Sequence, residues 1–162
     1  FGDGCAAVLV TAEANNMQKD KLLKINSFNS IILHNGYTDM AWQLSETGFI
    51  MNLTSYVSTL IKENIKTMLD SLSINPTEID YWAIHPGGKK IVDDFFETLQ
   101  LDKSKATESY DVLKNYGNMS SPTVLFVLKQ VIEKATSKKG ESIFSAAFGP
   151  GLSIETMQLS YA

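Results

Sequence analysis

Two side chains that can direct hydrogen bonds at a ligand stand in short motifs in the second half of the sequence. His85 follows the mostly apolar run 81–84 and precedes the Pro-Gly-Gly segment 86–88. Asn118 lies within the segment Asn-Tyr-Gly-Asn-Met-Ser-Ser-Pro at 115–122. An imidazole and a carboxamide both supply N–H donors. The pair could therefore hold one ligand oxygen if the fold brings the two motifs together.

The position of His85 at the end of a predicted strand favours contact with a substrate. Open α/β sheets bind ligands beyond the carboxyl ends of their strands. Pro86 restricts the backbone that follows, whereas Gly87 and Gly88 let the chain turn sharply while a ligand approaches. The alternative is a core histidine that caps its strand with a single hydrogen bond.

Asn118 is predicted to lie at the start of a helix. It precedes Ser120, Ser121 and Pro122, and proline is tolerated in the first turn of a helix, so the helix begins within this segment. The alternative for Asn118 is an ordinary N-cap or turn residue, and the same alternative applies to the two serines.

The hydrophobic pattern predicts an α/β domain that covers residues 1–162, with a mixed β-sheet covered by α-helices. One pair of strands is expected to form a hairpin around Gly48, and the helix at 121–135 is expected to be largely buried because its apolar residues are so numerous. Strands are predicted at 5–10, 25–33, 42–44, 49–53, 79–85, 142–148 and 152–161, and helices at 55–72, 89–99, 108–114 and 121–135.

Composition excludes several classes of function. The 162 residues are 44% hydrophobic, which is enough for one domain with its own core. A net charge of −4 without a basic run argues against nucleic acid, and the sequence has no paired Cys/His pattern for a metal. No apolar run approaches the length of a membrane span. With one cysteine, Cys5, a reducing cytosol is the expected setting.

Three motifs in this order closely resemble the C-terminal half of type III polyketide synthases, the chalcone-synthase-like branch of the thiolase superfamily. They are the His-Pro-Gly-Gly segment at 85–88, the segment at 115–122, and Phe-Gly-Pro-Gly-Leu-Ser-Ile-Glu-Thr at 148–156. The resemblance implies the C-terminal half of a thiolase-like α/β fold. Because the sequence does not begin with methionine, we expect it to be a piece of a longer enzyme whose N-terminal half carries the nucleophile.

The resemblance also implies a chemistry. His85 and Asn118 would point their donors at the thioester carbonyl of malonyl-CoA and stabilise the enolate formed by decarboxylation. His85 would also keep a cysteine of the N-terminal half as a thiolate by ion pairing. The implied substrates are malonyl-CoA and an acyl-CoA, with no cofactor, no metal and no membrane span. The parent enzyme is expected to be a cytoplasmic homodimer, and the isolated half is expected to be inactive.

Other positions are implied to shape the cavity. Gly149, Pro150 and Gly151 resemble the cyclisation loop of the family, with Ala147 where relatives usually carry glycine. Met51 stands where plant enzymes usually carry a gatekeeping phenylalanine. Ser120 is expected to be one of the residues that line the substrate cavity. The alternatives are a plain turn between strands for 149–151 and a Met51 that packs beneath the hairpin.

Cys5 is expected to be a core residue rather than the nucleophile. The order Cys5, His85, Asn118 imitates a cysteine protease, but the papain-type signature is absent and Cys5 opens an apolar strand instead of a helix.

Two other functions compete with the polyketide synthase. A ketoacyl synthase III-like condensing enzyme also uses Cys, His and Asn, but its Asn motif typically has Thr where Met119 stands, and it would demand acyl carrier protein. A catalytically silent thiolase-fold scaffold would lack a nucleophilic cysteine in its full-length sequence.

Overall fold

A four-stranded mixed sheet is the framework of the chain, in strand order β1-β6-β5-β4, and a separate two-stranded hairpin is formed by β2 and β3. The computed structural model describes residues 1–12 and 22–162. The strands are β1 (Leu23–Ile32), β2 (Met40–Ser45), β3 (Gly48–Leu53), β4 (Tyr81–Ile84), β5 (Ser142–Gly149) and β6 (Ser153–Tyr161), and the helices are α1 (Tyr56–Ser71), α2 (Lys89–Thr98), α3 (Thr107–Tyr116) and α4 (Pro122–Lys134).

Helices cover both faces of the sheet at β4 and β5, whereas one face of β1 is exposed. β4 and β5 are parallel, whereas β6 runs antiparallel to β5 and to β1. Because side chains alternate along a strand, Trp82 and Ile84 enter the core beneath α1 and α2, while Ala83 enters the core beneath α3 and α4. Trp82 is fully buried, with Phe144 at a ring-centroid distance of 5.3 Å and Phe95 at 5.7 Å. These packed rings hold β4 against α2, and β4 leads directly into His85.

The predicted alternation of strands and helices is confirmed from residue 23 onward, including the hairpin around Gly48. The helix predicted at 55–72 is observed as α1, and its apolar face is buried, with Leu60, Ile61 and Ile65 fully enclosed. The buried face of α4 is narrower than expected. Its buried residues are Thr123, Val127, Leu128 and Val131, and the remaining apolar side chains of its first two turns are half-buried.

The prediction for Cys5 was wrong. Residues 1–10 form no strand, Cys5 is exposed, and Val8, Leu9 and Val10 are 62–76% exposed. The next predicted strand, observed as β1, pairs with β6 and not with this segment. An apolar run becomes a buried strand only when a partner strand and a covering layer are present, and the described residues provide neither for this segment.

Gly36 occupies a buried turn, at 34–36, where a side chain does not fit. A methyl group there would overlap Leu152 and lie 2.6 Å from the Cδ1 atom of Leu60. Gly36→Ala is therefore expected to lower the free energy of unfolding by about 1–3 kcal/mol, as overpacking typically does. Urea denaturation measures the loss. Gly88→Ala is the matched control, because a methyl group at Gly88 meets no atom within 4 Å, and an equal loss in both variants would contradict the steric explanation.

Candidate active site

His85 lies at the carboxyl end of β4, where the sequence placed it. Its backbone N–H donates to the Ala146 carbonyl at 2.8 Å, which extends the parallel pairing of β4 with β5 by one residue. The residue is 5% exposed, and no described residue hydrogen-bonds its imidazole ring. A ring fixed by its backbone and left without a protein partner has its nitrogens available to a ligand.

Asn118 lies in the turn between α3 and α4, and its side chain is held at both ends. The Ser120 N–H donates to the Asn118 Oδ1 atom at 2.9 Å, so the nitrogen of the carboxamide must point the other way. That nitrogen donates to the Gly87 carbonyl at 3.2 Å. One N–H of the carboxamide is thus used by the protein, and the second is available to a ligand.

Gly87 joins the two predicted donors. Its carbonyl accepts from Asn118, and a methyl group on its Cα would lie 3.6 Å from the His85 Nε2 atom and 3.2 Å from the Cδ1 atom of Ile91. A methyl group at Gly87 would therefore make an ordinary contact with the ring and crowd only the flexible end of the Ile91 side chain. The chain bends at 87–88 as expected, although Gly88 itself has an extended backbone, with φ −173°.

A cleft of about 430 Å³ collects most of the predicted site residues. His85 and Asn118 line it together with Met51, Ser120, Gly149 and Pro150, and Ala147 also lies on its wall. Gly151 does not line the cleft. Its N–H donates to the Met40 carbonyl at 2.6 Å, and its φ of +78° is one that glycine tolerates best. Gly151 thereby ties the β5–β6 turn to the hairpin that carries Met51.

Burial is the main influence on the charge of the site. It lowers the pKa of His85 from its ordinary value of 6.5 to about 4, because the buried ring loses the hydration of its charged form. The imidazole of this chain is therefore neutral at pH 7. A neutral imidazole carries one N–H donor and one acceptor nitrogen, and an anion placed beside it would raise its pKa again.

Sequence reasoning missed Trp42, a residue of the hairpin that lines the cleft together with His85 and Asn118. It is the direct cross-strand partner of Met51, and its ring meets Phe49 edge-on at 6.3 Å. Counting outward from the two-residue turn at 46–47 would have placed Trp42 opposite Met51. The hairpin thus contributes four large apolar side chains to the lining, Met40, Trp42, Met51 and Leu53, and α2 and α4 add Ile91 and Val124.

Comparisons with known proteins identify the family. Residues 24–161 match chalcone and stilbene synthases, C-terminal domain. The chain belongs to this family. Within it, the chain corresponds to the C-terminal half of a type III polyketide synthase, which confirms the resemblance seen in the motifs.

Members of the chalcone and stilbene synthase family from bacteria are similar along the whole chain. A "Putative chalcone synthase" of Bacillus subtilis (strain 168) is 32% identical over 99% of the chain and 46% of that protein. The "Alpha-pyrone synthesis polyketide synthase-like Pks18" of Mycobacterium tuberculosis (strain CDC 1551 / Oshkosh) is 34% identical over 97% of the chain and 42% of that protein. The chain thus spans less than half the length of these curated relatives.

Solved structures of the family share the fold. The C-terminal type III polyketide synthase domain of "Steely1" from Dictyostelium superposes with a TM-score of 0.78 at 27% identity, over 86% of the chain and 40% of that structure. The α/β architecture is consistent with the expected thiolase-like fold. In the described part of the chain no helix could cross a membrane, and no three His, Cys, Asp or Glu side chains converge as a metal site.

Proposed function

We propose that the chain is the acyltransferase half of a type III polyketide synthase that supplies the two donors for decarboxylative Claisen condensation. The observation that supports this most directly is the shared cleft, in which His85 and Asn118 adjoin the same residue, Gly87, and each retains an unused ring nitrogen or N–H. Malonyl-CoA extends an acyl chain that entered as an acyl-CoA starter. The nucleophilic cysteine comes from an N-terminal half.

The role of the donors follows from the movement of electrons. When the malonyl carboxylate leaves as CO₂, the electrons of the broken C–C bond move onto the thioester oxygen as an enolate. The enolate carbon then attacks the acyl thioester on the cysteine, and the thiolate leaves. Both steps build negative charge on an oxygen, and preorganised donors stabilise such charge best in a site without bulk water. No general base is required for the first step.

The neutral state of His85 suits the decarboxylation and also limits the pairing with cysteine. A neutral ring donates one N–H to the enolate oxygen without a proton transfer. Pairing with a thiolate requires the imidazolium, and only an anion close to the ring would offset the burial that holds its pKa at about 4. We therefore place the imidazolium–thiolate pair in the assembled enzyme, where the cysteine is present.

The lining of the cleft favours an apolar acyl chain as the growing substrate. The apolar side chains of its lining include Trp42, Met51, Leu53 and Val124. Methionine is flexible and adapts to the shape of its neighbours, so Met51 is proposed to act as a soft gate at the cavity. Gly149 and Pro150, at the end of β5, also line the cavity, where glycine leaves room and proline stiffens the turn.

The test is malonyl-CoA-dependent release of CoA by a full-length polyketide synthase that carries this chain as its C-terminal half. His85→Ala and Asn118→Ala are each expected to lower kcat about a hundredfold or more, because each removes one preorganised donor. The isolated chain is expected to release no CoA. The control is Asn115→Ala, since Asn115 is exposed at the end of α3.

Each result of this assay decides the proposal. Normal turnover by His85→Ala or Asn118→Ala would contradict the donor role of that residue. A wild-type enzyme that decarboxylates nothing with any acyl-CoA starter would favour the scaffold interpretation. The homodimer, the cytoplasmic location and the absence of a cofactor remain predictions for the same assembled protein.

A further inference from the structure

We propose that Thr123 is a positioning residue for Asn118, because its hydroxyl holds the α3–α4 turn in the shape that aims the carboxamide. The inference rests on the proposed function of the cleft. Thr123 is the second residue of α4 and has no exposed surface. It does not line the cleft, so we infer that any effect of Thr123 on substrate passes through the turn at 118–120.

The Thr123 hydroxyl makes two good hydrogen bonds to the turn. Its Oγ1 atom accepts from the Met119 N–H at 2.8 Å and donates to the Ser120 carbonyl at 2.8 Å. Since a hydroxyl carries a single proton, its 3.5 Å approach to the Asn118 Oδ1 atom is a secondary contact. One hydroxyl therefore satisfies the backbone of two successive residues that follow Asn118.

The turn needs this support because its backbone is strained. Ser120 has φ +62°, in the left-handed region that residues other than glycine rarely occupy. Met119 is 5% exposed, so its N–H cannot obtain a replacement hydrogen bond from bulk water without opening the turn. Loss of the Thr123 hydroxyl would remove the acceptor and leave the strain uncompensated.

A change at Ser120 is transmitted directly to the catalytic amide. The Ser120 N–H fixes the Asn118 Oδ1 atom, and this contact decides that the amide nitrogen faces the Gly87 carbonyl. If Ser120 relaxes from its left-handed conformation, the carboxamide loses the contact that orients it. The free N–H would then leave the position in which it meets the thioester oxygen.

The experiment compares Thr123→Val with Thr123→Ser in the full-length polyketide synthase. Valine keeps the shape of threonine and removes the hydroxyl, so kcat for malonyl-CoA-dependent CoA release is expected to fall roughly tenfold to a hundredfold, as for other small misplacements of catalytic groups. KM for malonyl-CoA is expected to stay nearly constant. Serine keeps the hydroxyl and is expected to restore most of kcat.

A double-mutant cycle separates positioning from general stability. In the Asn118→Ala background, Thr123→Val is expected to cause no further loss of kcat, because the amide it positions is gone. A merely structural residue would lower kcat by the same factor in both backgrounds. The matched control is Thr98→Val, which removes a threonine hydroxyl that donates to the Asp94 carbonyl at 2.7 Å within α2. Thr98→Val is expected to leave kcat unchanged.

The outcomes distinguish this inference from the proposed function. If Asn118→Ala lowers kcat but Thr123→Val does not, or if Thr123→Ser loses as much as Thr123→Val, the positioning role is wrong and the proposed function stands. If Asn118→Ala itself has no effect on kcat, the donor role of Asn118 in the proposed function is wrong, and the positioning role of Thr123 is wrong with it. Should Thr123→Val not fold, the same cycle is run with Thr123→Ala and decided by the same comparisons.

Discussion

Replacing Asn118 by aspartate is expected to lower kcat for malonyl-CoA by more than its replacement by alanine does. Asparagine and aspartate have the same shape, so the Ser120 N–H can still donate to the Oδ1 atom of the new side chain. The second atom becomes a carboxylate oxygen, which faces the Gly87 carbonyl at the site of the present 3.2 Å hydrogen bond. The lost donor alone costs about 2.7–4 kcal/mol of transition-state stabilisation, and repulsion of the enolate adds to this.

Because the loss of kcat in Asn118→Asp depends on the charge of the new carboxylate, its pH dependence tests the explanation. Lowering the pH protonates the new carboxyl group and turns it back into a donor, so the ratio of Asn118→Asp to wild-type kcat is expected to rise toward acid pH. Asn115→Asp introduces the same charge at an exposed position of α3 and is expected to keep normal turnover. If Asn118→Asp worked as well as wild type at pH 7, the amide nitrogen could not be facing the enolate oxygen.

The sequence predicted the elements well wherever the apolar face of an element packs against other parts of the chain. The face of α1 that carries Leu60, Ile61 and Ile65 has helical spacing and is buried as expected. The alternation of Trp82, Ala83 and Ile84 between two cores follows from the period of a strand. In these cases local periodicity and tertiary packing favour the same conformation.

The prediction that Cys5 is buried was wrong because hydrophobic periodicity does not show what an apolar run packs against. Residues 5–10 have the pattern of a buried strand, yet they lie exposed, since burial needs a partner that the described residues do not supply. The relatives are more than twice as long as the chain, so the sequence alone could not show which part of an enzyme would cover this segment.

The candidate site was predictable in its residues but not in its connections. The motifs identified His85 and Asn118. The connection between them depends on a backbone atom, the Gly87 carbonyl, which accepts from Asn118. The turn that carries Asn118 is held by the hydroxyl of Thr123. Backbone carbonyls leave no signature in a sequence, and a threonine early in a helix is too common to be noticed. The cross-strand register that brings Trp42 to the wall required the exact turn at 46–47.

Acidification is expected to destabilise the chain through His85. Burial lowers the pKa of the folded state from 6.5 to about 4. Between these values the unfolded chain binds a proton that the folded chain excludes, so the free energy of unfolding falls as the pH falls from about 6.5 toward about 4. The slope approaches about 1.4 kcal/mol per pH unit where only the unfolded state is protonated. Below about pH 4 both states carry the proton, and the loss stops growing.

His85→Gln isolates this contribution, because glutamine is polar but does not titrate. Urea denaturation of both proteins at several pH values from 7 to 4 is expected to show wild type losing stability relative to His85→Gln as the pH falls. His34→Gln, at an exposed histidine, tests whether loss of any histidine has this effect. A stability difference between wild type and His85→Gln that stayed constant from pH 7 to 4 would mean that the folded chain accepts the proton freely. The ring would then be charged in the cleft at mildly acidic pH, and the neutral-donor role proposed for decarboxylation would have to be abandoned there.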